Sequence, residues 1–330
     1  MDDLRNVLKE SKEFYKDQKK TLIARISILP KGNIKKKIIK DKTYYYLQYR
    51  KGSKVMQEYL GKIIPDKLKE DLALRKQLQE ELEKVNESLK LLNDKHSLSS
   101  SFFPPLEKIL SKMTQMELWD SGIEIIGSWC FIIYQKYLPV EKYPLRTQDL
   151  DILIPIPYKG NIFDFSSYLK ELGFEEQFNP NGSTFYSAGS IKVEFIAPGK
   201  GKRNISRNLK ELSVNPQYLH YVETLLQNSI EIKISKGIKV NLPAPSSFLL
   251  HKLLIAILAE RKDKMEKDIR QAIYIGKYVL KEKRERAQLI SSWETFSKSW
   301  KNKTKKSLEA ALKIIPLERN TINELKKVLD

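Results

Sequence analysis

Apolar positions change their period several times along the chain of 330 residues, and each change marks a new kind of element. Residues 2–18 are polar, with Leu4, Val7, Leu8 and Phe14 returning to one side, which predicts a helix. Over 21–64 apolar and basic residues alternate, broken by Pro-Lys-Gly-Asn, Lys-Asp-Lys and Lys-Gly-Ser turn signals. This predicts three or four short antiparallel strands. Pro65 opens a long helix in which Leu78, Leu82, Val85, Leu89 and Leu92 recur at spacings alternating between four and three. So short a seam predicts an intramolecular hairpin, with the first helix as partner, rather than a dimeric coiled coil. The stretch HSLSSSFFPP, residues 96–105, reads as a linker.

Beyond it the pattern alternates between helix and strand. Residues 106–120 predict a helix, 123–127 (IEIIG) a strand, and 128–138 an apolar helix with Ser128 at its start. DLDILIP (149–155) predicts a buried strand, and 163–174 a helix and turn. FYSA and IKVEFIA predict one hairpin, IEIKI and IKVNLP another, and 245–330 reads as mainly helical. The β-α-β order predicts an α/β (α+β) chain: a mixed-sheet core and a helical C-terminal domain, preceded by a small antiparallel β unit and a long helix. The expected boundaries are 1–64 for the first helix and basic sheet, 65–98 for the long helix and linker, 105–243 for the core and 244–330 for the helical end.

Charge narrows the partners. Sixty Lys and Arg against 41 Asp and Glu leave +19, an excess that gathers polyanions and suggests nucleic acid or nucleotide phosphates. A solvated basic surface is the plainer explanation. Cys130 has no cysteine to pair with, and His96, His220 and His251 show no metal-ligand spacing. The N-terminal residues lack a signal-peptide core, and the apolar runs near 123–134 and 248–259 fall short of a membrane span. A cytoplasmic protein without a membrane partner is the expectation.

The chemistry concentrates in two strands. Side chains alternate along a strand, so Asp149 and Asp151 share a face while Leu150 and Ile152 take the other. Glu194 interrupts the face opposite Ile191, Val193 and Phe195 in the same manner. If the two strands pair, three carboxylates converge, and they need cations between them. Hard divalent ions, Mg²⁺ or Mn²⁺, suit such oxygen donors. Gly127 and Ser128 stand where a strand passes into a helix, whose first N–H groups suit a triphosphate. Arg146 and Thr147, just before the acidic strand, are further phosphate candidates. Together these parts predict phosphoryl or nucleotidyl transfer.

This arrangement resembles the nucleotidyltransferase superfamily that includes DNA polymerase beta, and within it the AbiEii-like toxin group. Its pattern is a Gly-Gly or Gly-Ser turn, a helix, a connector ending in Arg-x-[Ser/Thr]-x-Asp-[Ile/Leu]-Asp, and a later acidic strand. Here those positions are Gly127, Ser128, Arg146, Thr147, Asp149, Leu150, Asp151 and Glu194, with Ser128 replacing the toxin group's second glycine. The resemblance implies two Mg²⁺ on the acids, an NTP with its phosphates at Gly127 and Ser128, and transfer of a nucleoside monophosphate to an acceptor hydroxyl. LPAPSSFLLHKLLIAILAERKDKMEKDIRQA resembles the apolar helix and Arg/Lys-Asp pattern that opens the family's helical region. By that likeness Lys252 contacts a phosphate or sugar, with Arg261, Lys264, Lys267 and Asp268 nearby. A toxin role, with an antitoxin as partner, follows from the resemblance alone.

Two basic regions bear on the acceptor. GKGKRNISRN (199–208) carries Lys200, Lys202, Arg203 and Arg207 after the Glu194 strand, and would clamp triphosphate or guide RNA; an exposed loop without a role is the alternative. Tyr44, Tyr45, Tyr46 and Tyr49 lie among lysines, a mixture that stacks bases and holds phosphates; Tyr45 and Tyr49 are taken as contacts. An RNA acceptor, most plausibly tRNA, is therefore expected. A small molecule or protein side chain as acceptor, and an adaptor acting through nucleic acid or through the 65–95 helix, are the rivals.

Overall fold

Leu22 and Ile26 lie four residues apart and are both buried, so the first helix runs past the point where alternation predicts a strand. The computed structural model describes residues 2–93, 103–143, 147, 149–189, 191–199, 208–234 and 237–330. Within it α1 spans Asp2–Ile28, and residues 21–28 are helix rather than strand. Three strands follow, β1 (Asn33–Ile39), β2 (Lys42–Lys51) and β3 (Lys54–Gly61), then α2 (Asp66–Asn93). The β1–β2 turn places Lys40 and Asp41 at φ 47° and 56°, the left-handed pair that a tight hairpin needs. α1 packs along α2. Gln18 donates to Glu81 at 3.3 Å, and the Arg75 guanidinium donates to the carbonyls of Ile26 and Leu29, capping the end of α1.

Residues 1–98 and 99–330 form separate compact units. The second begins with α3 (Phe103–Gln115), β4 (Glu124–Ile126), α4 (Gly127–Tyr137), β5 (Asp149–Leu153) and α5 (Phe165–Glu171). It continues with β6 (Glu175–Phe178), β7 (Thr184–Ala188), β8 (Ile191–Pro198), β9 (Gln217–Leu219), β10 (Ser229–Lys233) and β11 (Lys239–Pro243). The central sheet runs β4-β5-β8-β7-β6, with β9 alongside β8. β5 pairs with β8 in parallel and with β4 antiparallel, so the sheet is mixed. The polar β6 and the short β9 show no clear alternation, which is why the pattern does not predict them.

One face of the sheet is apolar throughout. Leu150, Ile152, Val193 and Phe195 are buried there, and Phe165 of α5 lies 4.8 Å from the Phe195 ring. The other face carries the acids above an apolar floor of Ile126, Leu153, Ile196, Val222 and Leu225. Helices α6 (Pro245–Ala256), α7 (Met265–Lys281), α8 (Lys283–Glu294), α9 (Lys298–Ile314) and α10 (Arg319–Val328) complete the unit. Every residue of α6 is buried, because α7, α8 and α9 all pack on it. Among the described residues no helix is long and apolar enough to cross a membrane.

Candidate functional site

The site is built where β5 lies beside β8. Their register sets Asp149 against Lys192 and Asp151 against Glu194, so strand alternation brings the acids predicted from sequence to one face. Asp149 is exposed, while Asp151 and Glu194 are half-buried. Burial, then the charge of Glu194 and then that of Asp149, push the Asp151 carboxyl up to about 7; Lys252 and Lys264 pull the other way. Glu194 accepts an ion pair from Lys192 at 2.8 Å, and the Lys192 ammonium rests 4.0 Å over the Phe185 ring.

Gly127 closes the site from the β4–α4 junction. Its φ is +69°, and a Cβ built on it would lie 2.0 Å from Oδ2 of Asp151. Only a residue without a side chain lets the backbone approach that carboxylate. No side chain caps the first N–H groups of α4. Gly127→Ala is expected to lower stability by roughly 1–2 kcal/mol from the left-handed φ alone. It should also displace the Asp151 carboxylate and reduce turnover at least about tenfold, a near-attack geometry being sensitive to small shifts. Thermal melting and a transfer rate measured on the same sample check both effects.

The helical region reaches the site through α6 and α7. Lys252 is buried, and its ammonium donates to Oδ1 of Asp268 at 2.7 Å. Arg261 holds Oδ2 of the same carboxylate with Nε at 3.0 Å and Nη2 at 2.5 Å. Burial raises Asp268, but the charges of Lys252 and Arg261 outweigh it and hold the group below its ordinary range. Lys252 therefore has a fixed partner while its charge is felt at Asp151. Lys264 is exposed and also lowers Asp151. One turn beyond Asp268, Gln271 donates to the Ser128 hydroxyl at 3.3 Å, tying α7 to the start of α4. Thr147 is half-buried, with its hydroxyl 3.5 Å from the Asp149 carbonyl. Arg146, Lys200, Lys202, Arg203 and Arg207 lie outside the described residues. In the N-terminal unit Tyr45 and Tyr49 share the face of β2 that holds buried Leu47.

Two residues here escape a reading by local pattern, Gln271 and Glu124. Glu124 lies buried in β4 on the acidic face and accepts a hydrogen bond from the Ser229 hydroxyl. Its other oxygen is buried without a hydrogen-bond partner. Burial drives the carboxyl up to about 8 from 4.5, against the Ser229 hydrogen bond. An acid that keeps its proton longer in the folded state destabilises that state as pH rises through the interval from 4.5 to 8. Melting temperature should therefore fall across that interval and flatten in Glu124→Gln, which should be about 2 kcal/mol more stable than wild type at pH 9. Parallel melting profiles for the two proteins would contradict this.

Asp149, Asp151 and Glu194 offer hard oxygen donors with mutual repulsion that a divalent cation relieves, so the donor set fits such an ion in kind. Among the described residues no three His, Cys, Asp or Glu groups already form a closed metal centre. Glu194 is engaged by Lys192 instead.

A profile of the family described as nucleotidyltransferase matches residues 105–297. A second, described as a domain of unknown function (DUF6788), matches residues 1–70. Among solved structures, the chain is similar to an antigenic nucleotidyltransferase-like protein from Paracoccidioides brasiliensis. The TM-score is 0.40 at 16% identity, covering 68% of this chain and 94% of that one. No curated protein matches.

Proposed function

The chain belongs to the nucleotidyltransferase family, whose profile covers more than half of it, and from that premise we propose that it moves a nucleoside monophosphate from an NTP to a hydroxyl of RNA, tRNA foremost. The observation that carries the reading is the register of β5 and β8. It sets Asp149, Asp151 and Glu194 on one face beside a glycine that admits no side chain. These three carboxylates would hold the divalent ions, which when bound neutralise the acids and the triphosphate.

The chain's own residues do the rest. The N–H groups at Gly127 and Ser128 take the phosphates, with Gln271 fixing the Ser128 hydroxyl. Thr147 extends that phosphate site, the role that the resemblance also gives Arg146. Lys252 and Lys264 set positive charge opposite the acids, and Asp268 holds Lys252 in place. Glu194 takes the proton of the attacking hydroxyl on a carboxylate oxygen. The hydroxyl oxygen bonds to the α-phosphorus, the bond to the bridging oxygen breaks, and pyrophosphate leaves. The net charge of +19 favours a polyanionic acceptor over a small molecule.

NTP labelled at the α-phosphate, incubated with Mg²⁺ and total RNA, should pass its label to RNA; NTP labelled at the γ-phosphate should release it as pyrophosphate. Label in polypeptide or in a small metabolite replaces the acceptor and keeps the chemistry. Label on RNA from the γ-position alone overturns nucleotidyl transfer.

A further inference from the structure

The N-terminal sheet has two faces of unlike character. Thr43, Tyr45, Leu47 and Tyr49 of β2 share the face that buries Leu47. Tyr44, Tyr46, Gln48 and Arg50 take the other, beside Lys35 and Lys37 of β1 and Gln57 and Tyr59 of β3. On that second face the rings form a group. Tyr59 is 56% exposed, with its centroid 5.4 Å from Tyr46 and 6.2 Å from Tyr44. Lys37 lies 4.7 Å over Tyr46 and donates to Gln57 at 2.8 Å.

Charge on this sheet is one-sided. Residues 33–61 hold eight Lys and Arg against Asp41 and Glu58. Asp41 lies in the β1–β2 turn, and Glu58 pairs with Leu47, which puts it on the other face. None of the three strands therefore sets an acid on the tyrosine face. At its end Gln48 and Arg50 also line a cavity of about 880 Å³, whose wall includes Lys31 and Lys76. Ile34 and Tyr49 of the opposite face and Arg75 of α2 line it too, so the cavity lies at the end of the sheet with four cations around it.

We propose that this face binds single-stranded nucleic acid, with bases stacking on Tyr44, Tyr46 and Tyr59 and the backbone following Lys35, Lys37 and Arg50 towards that cavity. Aromatic faces amid cations serve a strand whose bases are free; a duplex keeps the faces of its bases stacked inside, out of reach of the rings. An acidic peptide would match the charge but not the group of open rings. The role of this face as the reader of an RNA acceptor rests on the function proposed above. Strand binding itself needs neither NTP nor metal, so it is measured without them.

Fluorescence anisotropy of the full chain with a labelled 12-nucleotide oligo(A), its DNA counterpart and a 12-base-pair duplex tests the proposal. The single strands should bind more tightly than the duplex. Tyr59→Ala should weaken them about fivefold or more, and Tyr59→Phe, which keeps the ring, should not. Lys35→Ala should flatten the salt dependence by about 0.7 in logarithmic slope. A preference for RNA supports the acceptor role; equal binding of DNA supports the surface and removes that role. Equal affinity for duplex and single strand, no effect of Tyr59→Ala at unchanged melting temperature, or tighter binding to phosphatidylserine vesicles than to oligonucleotide would each overturn the proposal. If the oligonucleotides bind normally but no label is transferred, the catalytic reading fails and this one stands.

Discussion

Asp149→Ala combined with Asp151→Ala is expected to lower nucleotidyl transfer about a thousandfold or more, a loss of roughly 4 kcal/mol of transition-state stabilisation. The same change should make the folded chain more stable near pH 8. The sign follows from Asp151. Its carboxyl is raised from 3.8 to about 7 by burial and by Glu194 and Asp149, so ionising it in the folded state is unfavourable. That penalty grows as pH rises from 3.8 to about 7 and is fully present above, where the variant should melt higher than wild type. At pH 4 the group is protonated in the fold and the advantage should vanish. Lost transfer with raised stability separates a chemical role from a structural one. A variant that melts lower at pH 8, or that keeps a tenth of the transfer rate, contradicts the site.

The acids were legible because a strand has a period of two. Asp149 and Asp151 interrupt a Leu/Ile pattern on one face only, and Glu194 does so in β8; the parallel register then sets Asp151 beside Glu194. Gly127 was legible as a junction, but its reason was not. The contact it permits is with Asp151, across the sheet, and no local pattern encodes that approach. Gln271 and Ser128 are 143 positions apart, and Glu124 and Ser229 are 105 apart. Their pairing is decided by how α7 and β10 dock, which depends on the whole core. At 21–28 alternation and helical spacing both fit the residues. Burial of Leu22 and Ile26 on one side of α1, packed along α2, decided for helix. Among the tyrosines the parity of Leu47 mattered more than the count of rings, since it assigns Tyr44 and Tyr46 to the opposite face from Tyr45 and Tyr49.

Asp268→Ala should be the most destabilising single change near the site, costing roughly 3–5 kcal/mol and lowering the melting temperature by about 10 °C. Asp268 is 1% exposed and receives Lys252 on one oxygen and Arg261 on the other. Removing it leaves the 6%-exposed Lys252 ammonium without its counter-ion in a place where water cannot replace it. The pair itself need not be strongly stabilising; the loss comes from stranding one charge. A second substitution distinguishes these. Lys252→Met in the Asp268→Ala background removes the stranded charge and should recover a substantial part of the lost stability. It should not recover transfer, because the positive charge opposite Asp151 is then gone. Asp268→Asn, with the shape kept and the charge removed, should fall between wild type and alanine in stability. Its Michaelis constant for NTP should rise more than its turnover falls, since Lys252 is no longer held by a carboxylate. If the double variant melts no higher than Asp268→Ala, the stranded-charge account is wrong and the loss belongs to packing around α7.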